Sequence, residues 1–278
     1  MVCTGDRVLS AFRVTKKSEL SGDELLQEGL RIVEDAKKEG ATLRITGGIA
    51  IFHLVEKNPA IKELILKHRK AGKSSANFAD LDLVGYSKDT KKINKLFLEQ
   101  YLFQKDKIIN ALFGDRRRIY YHPEEVYHVD IFLDKLEFNH DIDIRGRLEM
   151  DFPDMDFADL LLTKLQIHYV NDKDLLDIIG LSTHDKWDEE VNAQRIVGIL
   201  SNDWGFYYDA VNNLRAAASR ATELLNQSQS EIALQLSTKR IQDLINRIEQ
   251  CPKSKSWNKG AKNGPKKQWW REIENVSR

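Results

Sequence analysis

The run ELLQEGLRIVEDAKKEG repeats apolar positions at the helical period behind Ser21 and Glu24, which stand in capping-box spacing, and Gly40 closes it. TLRI (42–45) alternates as a short strand and leads directly into Gly47-Gly48. IAIFHLVEKN then reads as a helix stopped by Pro59, and AIKELILKHRK as another. AGKSSANFA is a turn-former cluster, hence a loop, and DLDLVGY (80–86) alternates as a strand. Residues 89–113 read as helix in one or two pieces, RRIYYH and VYHVDIFLDKLEF as strands close enough to pair, and DIDIRGRLEM as a further strand pair or an extended arm.

Beyond Pro153 the period changes to 3.6 almost without interruption. ADLLLTKLQIHYV, KDLLDIIGL, WDEEVNAQRIVGILS, the stretch from Trp204 to Leu225, and IALQLSTKRIQDLINRIEQ all read as helices. CPKSKSWNKGAKNGPKKQWW has few aliphatic residues and reads as a linker or arm. The predicted fold class is therefore α+β: an α+β domain over 1–152, a helical domain over 153–251 and a basic, tryptophan-containing tail over 252–278.

Composition narrows the class of protein. No apolar run approaches the ~20 residues of a membrane span, so no membrane partner is expected. Only two cysteines, Cys3 and Cys251, are present, which excludes a disulfide scaffold and a thiolate zinc site and suits a cytoplasmic protein. The opening residues show no secretory pattern. The formal net charge is zero, but residues 252–278 carry eight basic residues against two acids. Residues 141–190 carry fourteen acids against five basic residues. Charge gathered this way leaves nucleic-acid binding open. In the tail, Trp257, Trp269 and Trp270 among the lysines would stack on unpaired bases, so the arm is expected to recruit RNA. The competing expectation is that the tryptophans fold back onto the helical domain.

Chemistry concentrates at three carboxylates. Strand alternation puts Asp80 and Asp82 on one face while Leu81 and Leu83 turn to the core, and sets Asp130 opposite in sense to Val129 and Ile131. If the two strands pair, Asp80, Asp82 and Asp130 converge, and their mutual repulsion calls for a cation. Mg²⁺ or Mn²⁺ suits an all-oxygen donor set, and ions there would serve an in-line phosphoryl displacement. Gly47 and Gly48, between a strand and a helix start, offer backbone N–H groups to a phosphate. The pattern is neither a P-loop nor a dinucleotide fingerprint. His122 and His128 lie near the acidic strand, but nothing in their spacing supports zinc.

TGGIAIFHL, DLDLVG and HVDIF, in that order, resemble the DNA polymerase β-type nucleotidyltransferase superfamily. With ADLLLTKLQI, KDLLDIIGL and WDEEVNAQRIVGILSNDWGFYYDAVNNL beyond them, the chain looks like the AbiEii-like, abortive-infection branch over roughly residues 40–215, whose members include toxins of bacterial toxin–antitoxin pairs. The superfamily often has Gly-Ser where this chain has Gly47-Gly48.

The resemblance implies a nucleotidyltransferase fold, a small mixed sheet with flanking helices, followed by a helical domain. It implies transfer of a nucleotidyl group from an NTP to a hydroxyl of RNA, such as a tRNA end, or of a protein, and an antitoxin partner. It also implies that Lys164 contacts phosphate, with Lys173 and Asp174 opening the next helix beside it. Asp174 would contact ribose or steer Lys164, and Asp177 is a weaker candidate on the same helix. The rival expectations are a non-catalytic protein that binds RNA or a partner on a degenerate form of this fold, and a phosphohydrolase.

Overall fold

The Ser21 hydroxyl accepts the Glu24 N–H at 3.2 Å, and the Glu24 carboxylate accepts the Ser21 N–H at 2.7 Å. This reciprocal cap starts α1 (Gly22–Lys38) where the spacing expected it. The computed structural model describes residues 20–70, Phe78, 80–225 and 230–273. Of the expected features, the AGKSSANFA loop lies outside the described residues except for Phe78, as does 274–278 of the tail.

After α1 come β1 (Leu43–Ile45), α2 (Gly47–Leu54), α3 (Pro59–Lys70) and β2 (Asp80–Gly85). Pro59 separates the two helices by opening the second, a position where its missing N–H costs nothing. The segment expected as helix over 89–113 is broken. α4 (Thr90–Asn94) continues as a wider π-helical turn to Gln100, and Leu102 takes a positive φ of 58°. A two-residue strand, β3 (Gln104–Lys105), and α5 (Lys107–Leu112) follow. Asp106 forces the restart, since its carboxylate accepts the N–H groups of Ile108 and Ile109 as an N-cap.

β4 (Arg117–Tyr121) and β5 (His128–Leu133) pair antiparallel, as their proximity suggested, and complete a five-stranded sheet of order β1-β2-β5-β4-β3. The sheet is mixed, because β2 and β5 run parallel at its centre. β6 (Lys135–Glu137) and β7 (Asp141–Asp143) form a separate antiparallel pair. Residues 153–155 still run along the free edge of β1, where Ile45 N–H donates to Pro153 and Met155 N–H to Ile45.

The helices α6 (Phe157–Leu165), α7 (Asp172–Ser182), α8 (Glu190–Leu200), α9 (Trp204–Leu225) and α10 (Glu231–Gln250) form the second half of the α+β architecture. α7 joins the halves, packing on α2 and α3 on one side and on α9 and α10 on the other. Gly180 permits that approach: a Cβ there would stand 2.8 Å from Ile65 Cδ1. Leu81, Leu83, Val129 and Ile131 from the central strands and Leu160–Leu162 from α6 are all buried in one continuous core. Among the described residues no helix is long and apolar enough to cross a membrane.

The tail corrects one expectation. Residues 252–273 are not a coreless extended arm. Ser254 caps a helix, α11 (Lys255–Asn263), and the chain then returns to the helical half. Trp269 packs edge-on against Trp204 and Tyr208, Trp270 stacks on His168 at 3.7 Å, and Trp257 meets Tyr207. Arg271 pairs with Asp141 at 2.9 Å, within the acidic stretch. Three indoles hold too much apolar surface to stay in water when aromatic partners stand on α9. The missing aliphatic residues concealed this.

Candidate carboxylate site

Parallel pairing sets Leu81 opposite Val129, Asp82 opposite Asp130, and Asp80 opposite His128. Two strands that bury alternate residues in this register must present their carboxylates side by side on the other face. Asp80 is exposed, Asp82 half-buried and Asp130 buried. The convergence expected from the sequence is therefore present in the backbone, and it has an electrostatic consequence. The Asp82 carboxyl is pushed up to about 8, first by desolvation and then by the charges of Asp80 and Asp130, with Lys164 and Arg117 opposing them.

Gly47 lies against this carboxylate. It begins α2 at φ 63°, and a Cβ there would come within 2.3 Å of Asp82 Oδ2. The N–H of the preceding Thr46 donates to the Asp82 carbonyl at 3.0 Å, tying the turn to β2. No side chain caps α2 at Thr46, whose hydroxyl is turned to Met155 Sδ. The N-terminus of α2, with Gly47 and Gly48, thus opens beside Asp82. At its other end, His53 Nδ1 lies 2.7 Å from Asp154 Oδ2, bracing α2 against residues 153–155. That carboxylate raises the His53 pKa.

Lys164, on α6, lies between two carboxylates of α7, at 3.0 Å from Asp174 and 2.9 Å from Asp177. Its ammonium still acts on Asp82 electrostatically. Asp174 thus contacts Lys164, the steering arrangement that was one of its two expected roles. Lys173 is exposed on the first turn of α7.

The residue that sequence reasoning missed is Arg117. From β4 it donates through Nε to both oxygens of Asp130 at 3.0 Å and through Nη2 to Oδ2 at 2.5 Å. This fork resists the rise that burial imposes on the Asp130 carboxyl. The available signal was the RRIYY strand beside HVDIF, since an antiparallel neighbour of Asp130 must send some side chain across its face.

The oxygen donors are of the kind that suits a hard divalent cation. Asp80 and Asp82 share the open face of β2, while the Asp130 carboxylate is taken by Arg117. Among the described residues no three His, Cys, Asp or Glu side chains are preassembled around a common point.

Comparison with known proteins supplies no template. No family model matches the chain, and neither a curated protein nor a solved structure matches it.

Proposed function

We propose that the chain is a nucleotidyltransferase on a DNA polymerase β-type fold, dependent on Mg²⁺ or Mn²⁺, moving a nucleoside monophosphate from an NTP to a hydroxyl of RNA or protein. The carrying observation is Asp82, set in register opposite Asp130 and beside Asp80, with its carboxyl pushed up to about 8 by burial and then by the charges of those two neighbours. Asp80, Asp82 and Asp130 would hold the cation, which when bound supplies charge neutralisation at the reacting phosphate. Gly47 and Gly48 let the backbone approach a triphosphate at the α2 N-terminus. Lys164, steadied by Asp174 and Asp177, sets a positive charge on the same side. Asp130 takes the proton of the acceptor hydroxyl, the oxygen attacks the α-phosphorus, and pyrophosphate leaves. A role as the toxin of a toxin–antitoxin pair follows from the sequence resemblance and belongs to the same reading.

One observation favours a second reading. The Arg117 fork on Asp130 is what a binding protein with a retired active site would keep. Incubation with each α-labelled NTP, Mg²⁺ and total RNA separates the two. Label should move to RNA or protein, and Asp82→Ala should abolish the transfer. Absence of transfer with every NTP rejects the enzyme.

A further inference from the structure

A groove of about 220 Å³ is lined by Phe132 and by Arg117, the residue that holds Asp130. Phe132 sits two residues beyond Asp130 on β5, so both side chains share a face, and Arg117 is the cross-strand partner of Phe132. Phe113, Phe132 and Phe138 give the groove an aromatic lining, with Phe132 and Phe138 meeting edge to face at 5.0 Å. Arg117 lies over the Phe132 ring and Arg116 over that of Phe113. Residues 271–273 of the docked tail close one side. The volume is below the roughly 300–1,000 Å³ of a drug-sized site, a space for one planar ring with a charged group.

The charges of the groove are arranged around Arg117. Glu137 answers Arg116 at 2.9 Å, while Lys135 and Arg271 share Asp141. Counting Arg117 with the groove, four cations (Arg116, Arg117, Lys135, Arg271) stand against three carboxylates (Glu137, Asp141, Glu272). The surplus positive charge is the one Asp130 neutralises. Arg117 is thus at once a wall of the groove and the group that occupies Asp130.

We infer that this groove receives the terminal nucleotide of a single-stranded RNA, its base among the phenylalanines and its phosphate on Arg117, which turns from Asp130 to the phosphate when a divalent cation claims the carboxylate. The inference deepens the transferase reading by naming its acceptor, and it rests on that reading. Aromatic rings next to arginines suit a base and its phosphate, and are poorly matched to a peptide serine or threonine. The guanidinium fork that fits a carboxylate fits a phosphate equally well. RNA and cation would then help each other bind, because each removes the other's competitor for Arg117 and Asp130.

The test is binding of a short fluorescein-labelled single-stranded RNA, followed by anisotropy, with a fluorescent ATP analogue as the parallel probe. Arg116→Glu, at a half-exposed surface position, and Phe138→Ala should each weaken RNA binding about tenfold or more and leave the ATP analogue unaffected. Millimolar Mg²⁺ should tighten RNA binding, against its usual screening effect. In Asp130→Asn the RNA should bind tightly without Mg²⁺. Unchanged RNA affinity in both groove variants, or no RNA binding by the native chain, overturns the groove. If label transfer persists in that case, the transferase reading stands without it. RNA binding lost in the groove variants of a chain that transfers no label upholds the groove as an RNA site and rejects the transferase.

Discussion

Asp209, in the helical half, is 4% exposed and takes His140 Nε2 at 2.8 Å, His168 Nδ1 at 3.0 Å and Trp269 Nε1 at 3.1 Å. Asp82, on the sheet, is nearer to solvent, yet it stands in register with one carboxylate, Asp130, and shares a strand face with another, Asp80. A carboxylate accepts several hydrogen bonds, and burial is tolerated when donors meet them. Around Asp209 the donors join three distant segments into a knot that holds the tail in place. Around Asp82, burial and the charges of Asp80 and Asp130 together raise the carboxyl against the opposing charges of Lys164 and Arg117. The first arrangement stabilises the fold. The second is a carboxyl raised by burial and by two like charges beside it, and such groups cluster where chemistry occurs. Asp159 is likewise fully buried and forked by Arg147 and Arg195, though burial still raises its carboxyl.

Breaking the saturated region should have the largest effect on stability. Asp209→Ala strands three N–H donors, so a loss of about 3–5 kcal/mol is expected from denaturant unfolding. Tryptophan fluorescence should report release of Trp269 in the same variant. A loss below about 1 kcal/mol would show that the knot contributes little and would dissolve the contrast.

Gly47→Ala tests how closely the Asp82 region is built. A residue with a Cβ is strained at φ 63° by about 1–2 kcal/mol. Its methyl would also displace the Asp82 carboxylate, 2.3 Å away. A total loss of about 2–3 kcal/mol is expected, together with loss of transfer activity. A variant with native stability and activity would show that Gly47 is not pressed against the site.

The smallest effect should have the opposite sign. The Asp82 carboxyl is raised from 3.8 to about 8, so the folded chain holds this proton more tightly than the unfolded chain. The contribution favours folding below pH ~4 and is lost as pH rises from about 4 towards 8. Asp82→Asn should therefore stabilise the protein at neutral pH, by the order of 1–2 kcal/mol once solvent screening of a half-buried group is allowed for. The gain over the native chain should shrink towards pH 4. Thermal melts across that range decide it, and a variant less stable than native at pH 8 would place Asp82 with Asp209 as a structural carboxylate.

Much of the fold is legible in the sequence. The capping box at Ser21 and Glu24, the alternation in DLDLVG and HVDIF, and the helical period after Pro153 depend on residues within a turn or two of one another. Local sterics and burial on one face are enough to enforce them. The same alternation made the shared face of Asp80, Asp82 and Asp130 legible. The break at Leu102 was not, because the apolar pattern continues across it while the Asp106 cap restarts the helix.

The chain alone thus determined its α+β order and the strand faces bearing its carboxylates. Only the tertiary structure decided what each charge meets. Arg117 reaches Asp130 through the register of two strands. His140, His168 and Trp269 reach Asp209 across 69, 41 and 60 residues of chain. Such partners are chosen by burial, where an unmet charge is expensive. Burial belongs to the packed molecule, and no short window of sequence contains it.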